Sequence, residues 1–204
     1  MRMFKFFINL DKEEQWLNEQ ARKGWELTGK SWGYEFRQVE PKELNFRIDY
    51  RHFNNREEFE NYRVLFEDSG WKHVAGTKSS GQQYFVRSGE AESAEIFSDE
   101  ASKAARYQRM SRMWLSLAVV YLPIIIALAT SGAVDASALL QPKELYYTPG
   151  LWSKTGTEFW TAFAWETPFA LFRGIAWLAL PILVVSAVVC SFKASRLYRK
   201  NFSQ

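Results

Sequence analysis

The stretch Met113 to Val134, MWLSLAVVYLPIIIALATSGAV, carries no formal charge and is dominated by leucine, isoleucine, valine and alanine. A helix rising about 1.5 Å per residue across twenty-two such positions covers the roughly 30 Å of hydrocarbon in a bilayer, a length few buried helices need. A second uncharged run, Gly174 to Phe192, has nineteen residues and is also long enough to cross. Together the runs predict a domain over residues 1–90 and a helical basic connector over 91–112. They further predict a first span over 113–134, an aromatic loop over 135–173, a second span over 174–192 and a basic tail over 193–204.

The charges around the runs set an orientation. Lys103, Arg106, Arg109 and Arg112 precede the first run, and Lys193, Arg196, Arg199 and Lys200 follow the second. The loop between holds four acidic and three basic residues. The positive-inside bias therefore places both termini in the cytoplasm and the loop outside, with the eight cations flanking the lipid. Trp152, Phe159, Trp160, Phe163 and Trp165 suit the headgroup boundary and are expected to form an interfacial belt; a ligand groove between loop and spans is the alternative. Residues 1–102 contain 15 Lys and Arg against 19 Asp and Glu. The net charge of +3 thus arises beside the apolar runs and is not a nucleic-acid footprint. Cys190 is the single cysteine, which excludes a disulfide framework or a thiolate metal cluster.

The first ninety residues repeat a pattern. Residues 1–10 alternate as a strand, with Phe4, Phe6 and Ile8 on one face. A helix over 12–23 follows, capped by Asp11 and ended by Gly24; strands are then expected over 25–31 and 33–39. A strand over 45–51, a helix over 54–69 capped by Asn54 or Asn55, the Gly70-Trp71 junction, and strands over 71–77 and 83–87 repeat that order. The fold expected is α+β: a two-layer sandwich from a duplicated β-α-β-β unit, ferredoxin-like in tendency, with two helices on one sheet face, followed by a two-helix transmembrane hairpin.

Several segments carry a family resemblance: Phe4 to Asn9, Asp11 to Glu14, Trp16-Leu17, Gly24-Trp25-Glu26-Leu27, Tyr34 to Arg37, Phe46 to Arg51, and Phe66 to Gly70-Trp71. Together they resemble the bacterial family of unknown function 2812 (DUF2812) over roughly the first ninety residues. The resemblance implies a globular module ahead of hydrophobic segments and an association with transcriptional regulators of the PadR type. The setting it implies is regulatory or envelope-associated, in a bacterial cell membrane, with no assigned activity or catalytic residues.

Catalytic signatures are missing from the sequence. His52 and His73 stand outside any HExxH-type spacing, and combining them with Asp49 or Asp68 as a metal site requires an unsupported coincidence of folding. Glu13-Glu14 and Glu57-Glu58 fit helix starts better than an acid and base pair. No catalytic residue, metal or cofactor is therefore expected. The preferred contact surface is the sheet face opposite the helices: Arg47, Asp49 and Arg51, extended by Glu35 and Arg37, with Phe7 and Phe85 as apolar neighbours. It would suit a protein or a small anionic ligand. The expected partners are the bilayer and a protein partner or second copy of the chain, with no nucleic acid. The leading function is a membrane-tethered interaction or sensory module. An accessory subunit of a transporter or envelope-stress system comes next, and a membrane enzyme a distant third.

Overall fold

The computed structural model describes residues 1–88, 96–97, 99–131 and 141–202. It divides into one unit of Met1–Met113 with Cys190–Gln204, and another of Trp114–Val189. The acidic turn expected over 91–95, Ser98 as a cap, the last three residues of the first apolar run and the start of the loop lie outside the described residues.

In the first unit, β1 (Arg2–Met3), α1 (Leu10–Arg22), β2 (Trp25–Lys30) and β3 (Tyr34–Gln38) precede β4 (Leu44–Tyr50), α2 (Arg56–Asp68), β5 (Lys72–Ala75) and β6 (Gln82–Ser88). The strands form two antiparallel sheets, ordered β1-β3-β2 and β4-β6-β5. Each half therefore inserts its last strand between its first two. The likeness extends to single residues. Asn9 accepts from the Lys12 amide and Asn55 from the Glu58 amide at the two helix starts, while Gly24 and Gly70 adopt φ of 81° and 82° at the ends. A register shift interrupts β2–β3 at Leu27/Gly29 and β5–β6 at His73/Ala75. The expected single sheet under two helices is thus replaced by two small sheets that meet at β2 and β5.

The entry strand is shorter than its alternation predicts. β1 pairs only at Arg2 and Met3, after which Phe4 and Phe6 are exposed at 74% and 68%. Phe7 instead packs against Trp16 and Tyr34, so the buried parity is the reverse of that expected. Asn9 replaces Asp11 as cap, and α1 begins two residues early because the amide side chain reaches the Lys12 N–H at 3.1 Å.

Two long helices follow. α3 (Glu100–Thr130) starts on Asp99, whose carboxylate accepts from the Ser102 amide, and continues unbroken through Pro123 into the apolar run. After short 3-10 turns at Pro142–Leu145 and Leu151–Ser153, α4 (Gly156–Phe202) runs 47 residues, absorbing both the short helix expected at 158–167 and the second run. Both are long and apolar enough to cross a membrane. Their large side chains stand open, with Val119, Ile126 and Val185 more than half exposed, unlike those of a buried core helix. Within the first unit the two helices meet, where Ser111 Oγ donates to the Ser191 carbonyl at 3.0 Å and Ser191 Oγ donates to the Ser111 carbonyl at 3.0 Å.

Candidate functional site: a buried ionic latch and the pocket beside it

β4 runs beside α1 and the first turns of α3, which supply its outward backbone groups with side-chain partners. Asn18 Oδ1 accepts from the Phe46 amide at 2.7 Å and Glu14 Oε1 from the Ile48 amide at 3.0 Å. Arg106 Nη1 donates to the Ile48 carbonyl at 2.7 Å, and Arg109 Nε donates to the Tyr50 carbonyl at 2.5 Å. An edge strand left open would offer these groups to another chain; here they are closed off.

The same arginines bind three carboxylates. Arg106, fully buried, donates from Nη1 to Glu14 and from Nη2 to Asp11, each at 2.5 Å. Arg109 Nη2 donates to Asp49 Oδ1 at 2.5 Å, and Asp49 Oδ2 accepts from the Tyr62 hydroxyl at 2.9 Å. Glu14, Asp49 and Arg106 are taken out of water and each is ion-paired and hydrogen-bonded, although the buried Arg106 Nε has no hydrogen-bond partner among the described residues. The latch therefore joins α1, β4 and α2 to the first turns of α3. Tyr107, buried between the two arginines, donates its hydroxyl to Asp11 at 2.7 Å.

A further buried carboxylate, Glu13, forms no ion pair among the described residues. Glu13 accepts from the Tyr34 and Tyr84 hydroxyls at 2.6 and 2.7 Å on one oxygen and from Gln82 Nε2 at 3.1 Å on the other. Burial pushes its carboxyl above the ordinary range, against the opposing pull of these hydrogen bonds and of Lys30.

Beside the latch lies a pocket of about 230 Å³, with Asp49, Arg51 and Arg109 on its polar side and Leu65, Phe66 and Phe97 on its apolar side. Arg51, Tyr62 and Leu65 are shared with a wider outer cleft, which also exposes Glu58. The Arg51 guanidinium sits over the rings of Phe53 and Tyr62, at 5.8 and 5.6 Å.

The profile of the family described as "Protein of unknown function (DUF2812)" matches residues 9–119. The chain belongs to the DUF2812 family. No curated protein and no solved structure matches it. The DUF2812 match begins at Asn9, the cap of α1, and runs past β6 through the latch arginines into the apolar part of α3. The family unit thus includes the connector as well as the two sheets.

The structure scatters the contact face expected of this DUF2812 protein. Phe7, Glu35 and Arg37 belong with the first sheet, where Glu35 pairs with Arg2 and Arg37 with Glu26. On the second sheet the face carrying Arg47 and Asp49 is not open. α2 covers it, so Phe85 is wholly buried against Tyr62 and Phe66, and Asp49 is buried in the latch. Arg47 is partly buried and donates to the Phe46 carbonyl. The reason is architectural: each half carries its own helix, and the second sheet is packed on both faces. Asp49 and Arg51 are brought together at the pocket. Its remaining residues, Tyr62, Leu65, Phe66, Phe97, Ser102, Ala105 and Arg109, come from α2 and the connector.

The expected lipid flank also divides. Arg106 and Arg109 bind carboxylates of the folded unit, whereas Arg112, Lys193, Arg196, Arg199 and Lys200 are exposed and Lys103 is partly buried. The signal separating them was present: Ala104, Tyr107 and Met110 recur at helical spacing and are buried, marking a packed stripe beside Arg106. His73 packs against Phe59 and Phe85, with Nε2 3.0 Å from Gln83 Oε1. His52 lies against Tyr50.

In the second unit, the loop packs onto the start of α4. Tyr146 stacks on Phe163 at 5.2 Å, Trp152 meets both, and Phe159 and Trp160 continue the cluster. Arg173 pairs with Glu166 and donates from Nε to the Leu145 carbonyl at 3.0 Å. Trp160 and Trp165 project outward, exposed at 65% and 76%, as residues of an interfacial belt would. A shallow groove of about 460 Å³ beside Trp165 is lined mainly by Thr148, Lys154, Thr157, Glu158 and Thr161.

Proposed function

We propose that this DUF2812 protein is a membrane-tethered cytoplasmic interaction or sensory module with a regulatory role, in a bacterial cell membrane. One observation carries the reading: α3 is a single helix whose first turns are locked into the folded unit by Arg106 and Arg109 and whose remainder is exposed and apolar. A change in the folded unit at these ion pairs acts directly on the turns of α3 that Arg106 and Arg109 hold. The exposed cations Arg112, Lys193, Arg196, Arg199 and Lys200 support an orientation with both termini inside. The outward tryptophans of the loop support its place at the opposite interface.

Orientation is tested by single cysteines at Lys78 and Ser153 in a chain carrying Cys190→Ser. In intact cells an impermeant thiol reagent labels Ser153→Cys and spares Lys78→Cys until the membrane is opened. Rapid external labelling at position 78 would overturn the orientation. The interaction reading is tested by gentle extraction of the full chain. A specific partner should copurify with the wild type and be lost from an Arg51→Ala chain that retains its thermal midpoint. A partner retained unchanged by that chain removes the surface around Arg51 as the contact.

A further inference from the structure

We propose that the pocket between α2, the end of β4 and the first turns of α3 binds a small monocarboxylate bearing a short apolar tail. This deepens the sensory reading and rests on it only for the consequence at α3. The charge balance at the pocket points to an anion. Two guanidiniums, Arg51 and Arg109, line it with one carboxylate, Asp49, and that carboxylate is already engaged by Arg109, Tyr62 and the Tyr50 amide. Among the described residues Arg51 has no carboxylate partner; it is steadied only by the faces of Phe53 and Tyr62. A guanidinium beside ring faces, with no carboxylate partner among the described residues, offers N–H donors to a bidentate acceptor, and a carboxylate matches that fork.

The size of the charge selects a monoanion. One positive charge in excess balances one carboxylate, whereas a dianion would stand beside Asp49 with a charge unmatched. Among the described residues, Asp99 is engaged by Ser102, and Glu58 lines the outer cleft and is occupied at the start of α2, accepting from the Asn54 amide at 3.3 Å and the Asn55 side chain at 3.3 Å. The opposite wall selects the tail. Leu65 is 63% exposed at the mouth, with Phe66 and Phe97 beside it. At about 230 Å³ the pocket takes a chain of several carbons and lies below the usual range for drug-sized ligands. A ligand seated there touches α2 through Leu65 and Phe66 and α3 through Arg109, so its binding favours one placement of the connector.

The test uses the full chain in lipid nanodiscs with hexanoate as probe and hexanamide as its neutral counterpart. Binding is followed by saturation-transfer NMR, and amide exchange is followed over residues 100–110. Hexanoate should bind and hexanamide should be at least about tenfold weaker. Arg51→Gln should weaken hexanoate by about tenfold, and Arg51→Lys should recover part of the loss. Partitioning of hexanoate into lipid is common to every chain and cancels in the comparison. Equal binding of the acid and the amide, or hexanoate binding that survives Arg51→Gln, overturns the proposal. Arg51-dependent binding with unchanged exchange over 100–110 supports the site and counts against the sensory reading. Slowed exchange on hexanoate addition supports both.

Discussion

Arg106 binds Asp11, Glu14 and a β4 carbonyl from a position with no solvent exposure. Replacing it by methionine leaves the buried Glu14 with only Arg47, 3.8 Å away, as a cation among the described residues, and takes the partner from the half-buried Asp11; breaking a buried pair costs about 3–5 kcal/mol. Thermal unfolding of the detergent-solubilised chain should show a large drop for Arg106→Met. Arg106→Lys should recover only part, because a point charge replaces a fork. Glu13 gives a pH dependence. Its folded carboxyl sits above its ordinary value because of burial, so the folded chain binds the proton more tightly than the unfolded chain does. Its contribution is therefore most favourable below the ordinary carboxylate range and declines as pH rises through the folded value. In Glu13→Gln the amide oxygen can still accept from Tyr34 and Tyr84, and that decline disappears. The gap in thermal midpoint between variant and wild type should widen in the variant's favour from about pH 4.5 upward; a gap that narrows would contradict the assignment. The role of Glu13 was not legible in the residues alone. For Arg106 the stripe of Ala104, Tyr107 and Met110 set it apart from the lipid flank, but its partners, carboxylates more than ninety residues away, left no local signal.

The two β-α-β-β units were legible because their signals are local. The Asn55 cap, the Gly-Trp junctions and the aromatic strands are read within a few residues of one another, and Asn55, Gly24 and Gly70 take the expected geometry, whereas the first cap falls on Asn9 in place of Asp11. The copies nevertheless differ in what surrounds them. A Cβ on Gly24 would stand 2.7 Å from the Val39 carbonyl oxygen, whereas one on Gly70 would meet only the Arg87 side chain at 3.4 Å. Both substitutions to alanine force a left-handed residue, which costs about 1–2 kcal/mol. Gly24→Ala should therefore lower the thermal midpoint clearly more than Gly70→Ala, and equal losses would mean that the Val39 contact relaxes freely. Element ends were less legible. β1 stops at Met3 because its partner strand continues no further, and α4 extends back to Gly156, joining the short helix expected at 158–167 to the second apolar run.

For the molecule as a whole, two helices are long and apolar enough to cross a membrane, and their large apolar side chains stand exposed. Washing membranes at alkaline pH should leave the chain in the pellet, while release into the supernatant would argue that the apolar surface is covered by protein. The apolar runs, their charged flanks and the repeated pattern are properties of consecutive residues, and for that reason the sequence alone determined the two long helices, the α+β class and the family. Whether a charge faced lipid, water or another side chain depended on segments distant along the chain. Packing α2 over the second sheet buried Phe85 and Asp49, and docking α3 against β4 turned Arg106 and Arg109 inward. The run that begins at Met113 is thus the continuation of a helix already anchored, a fact that hydropathy cannot carry because the anchoring partners are Asp11, Glu14 and Asp49.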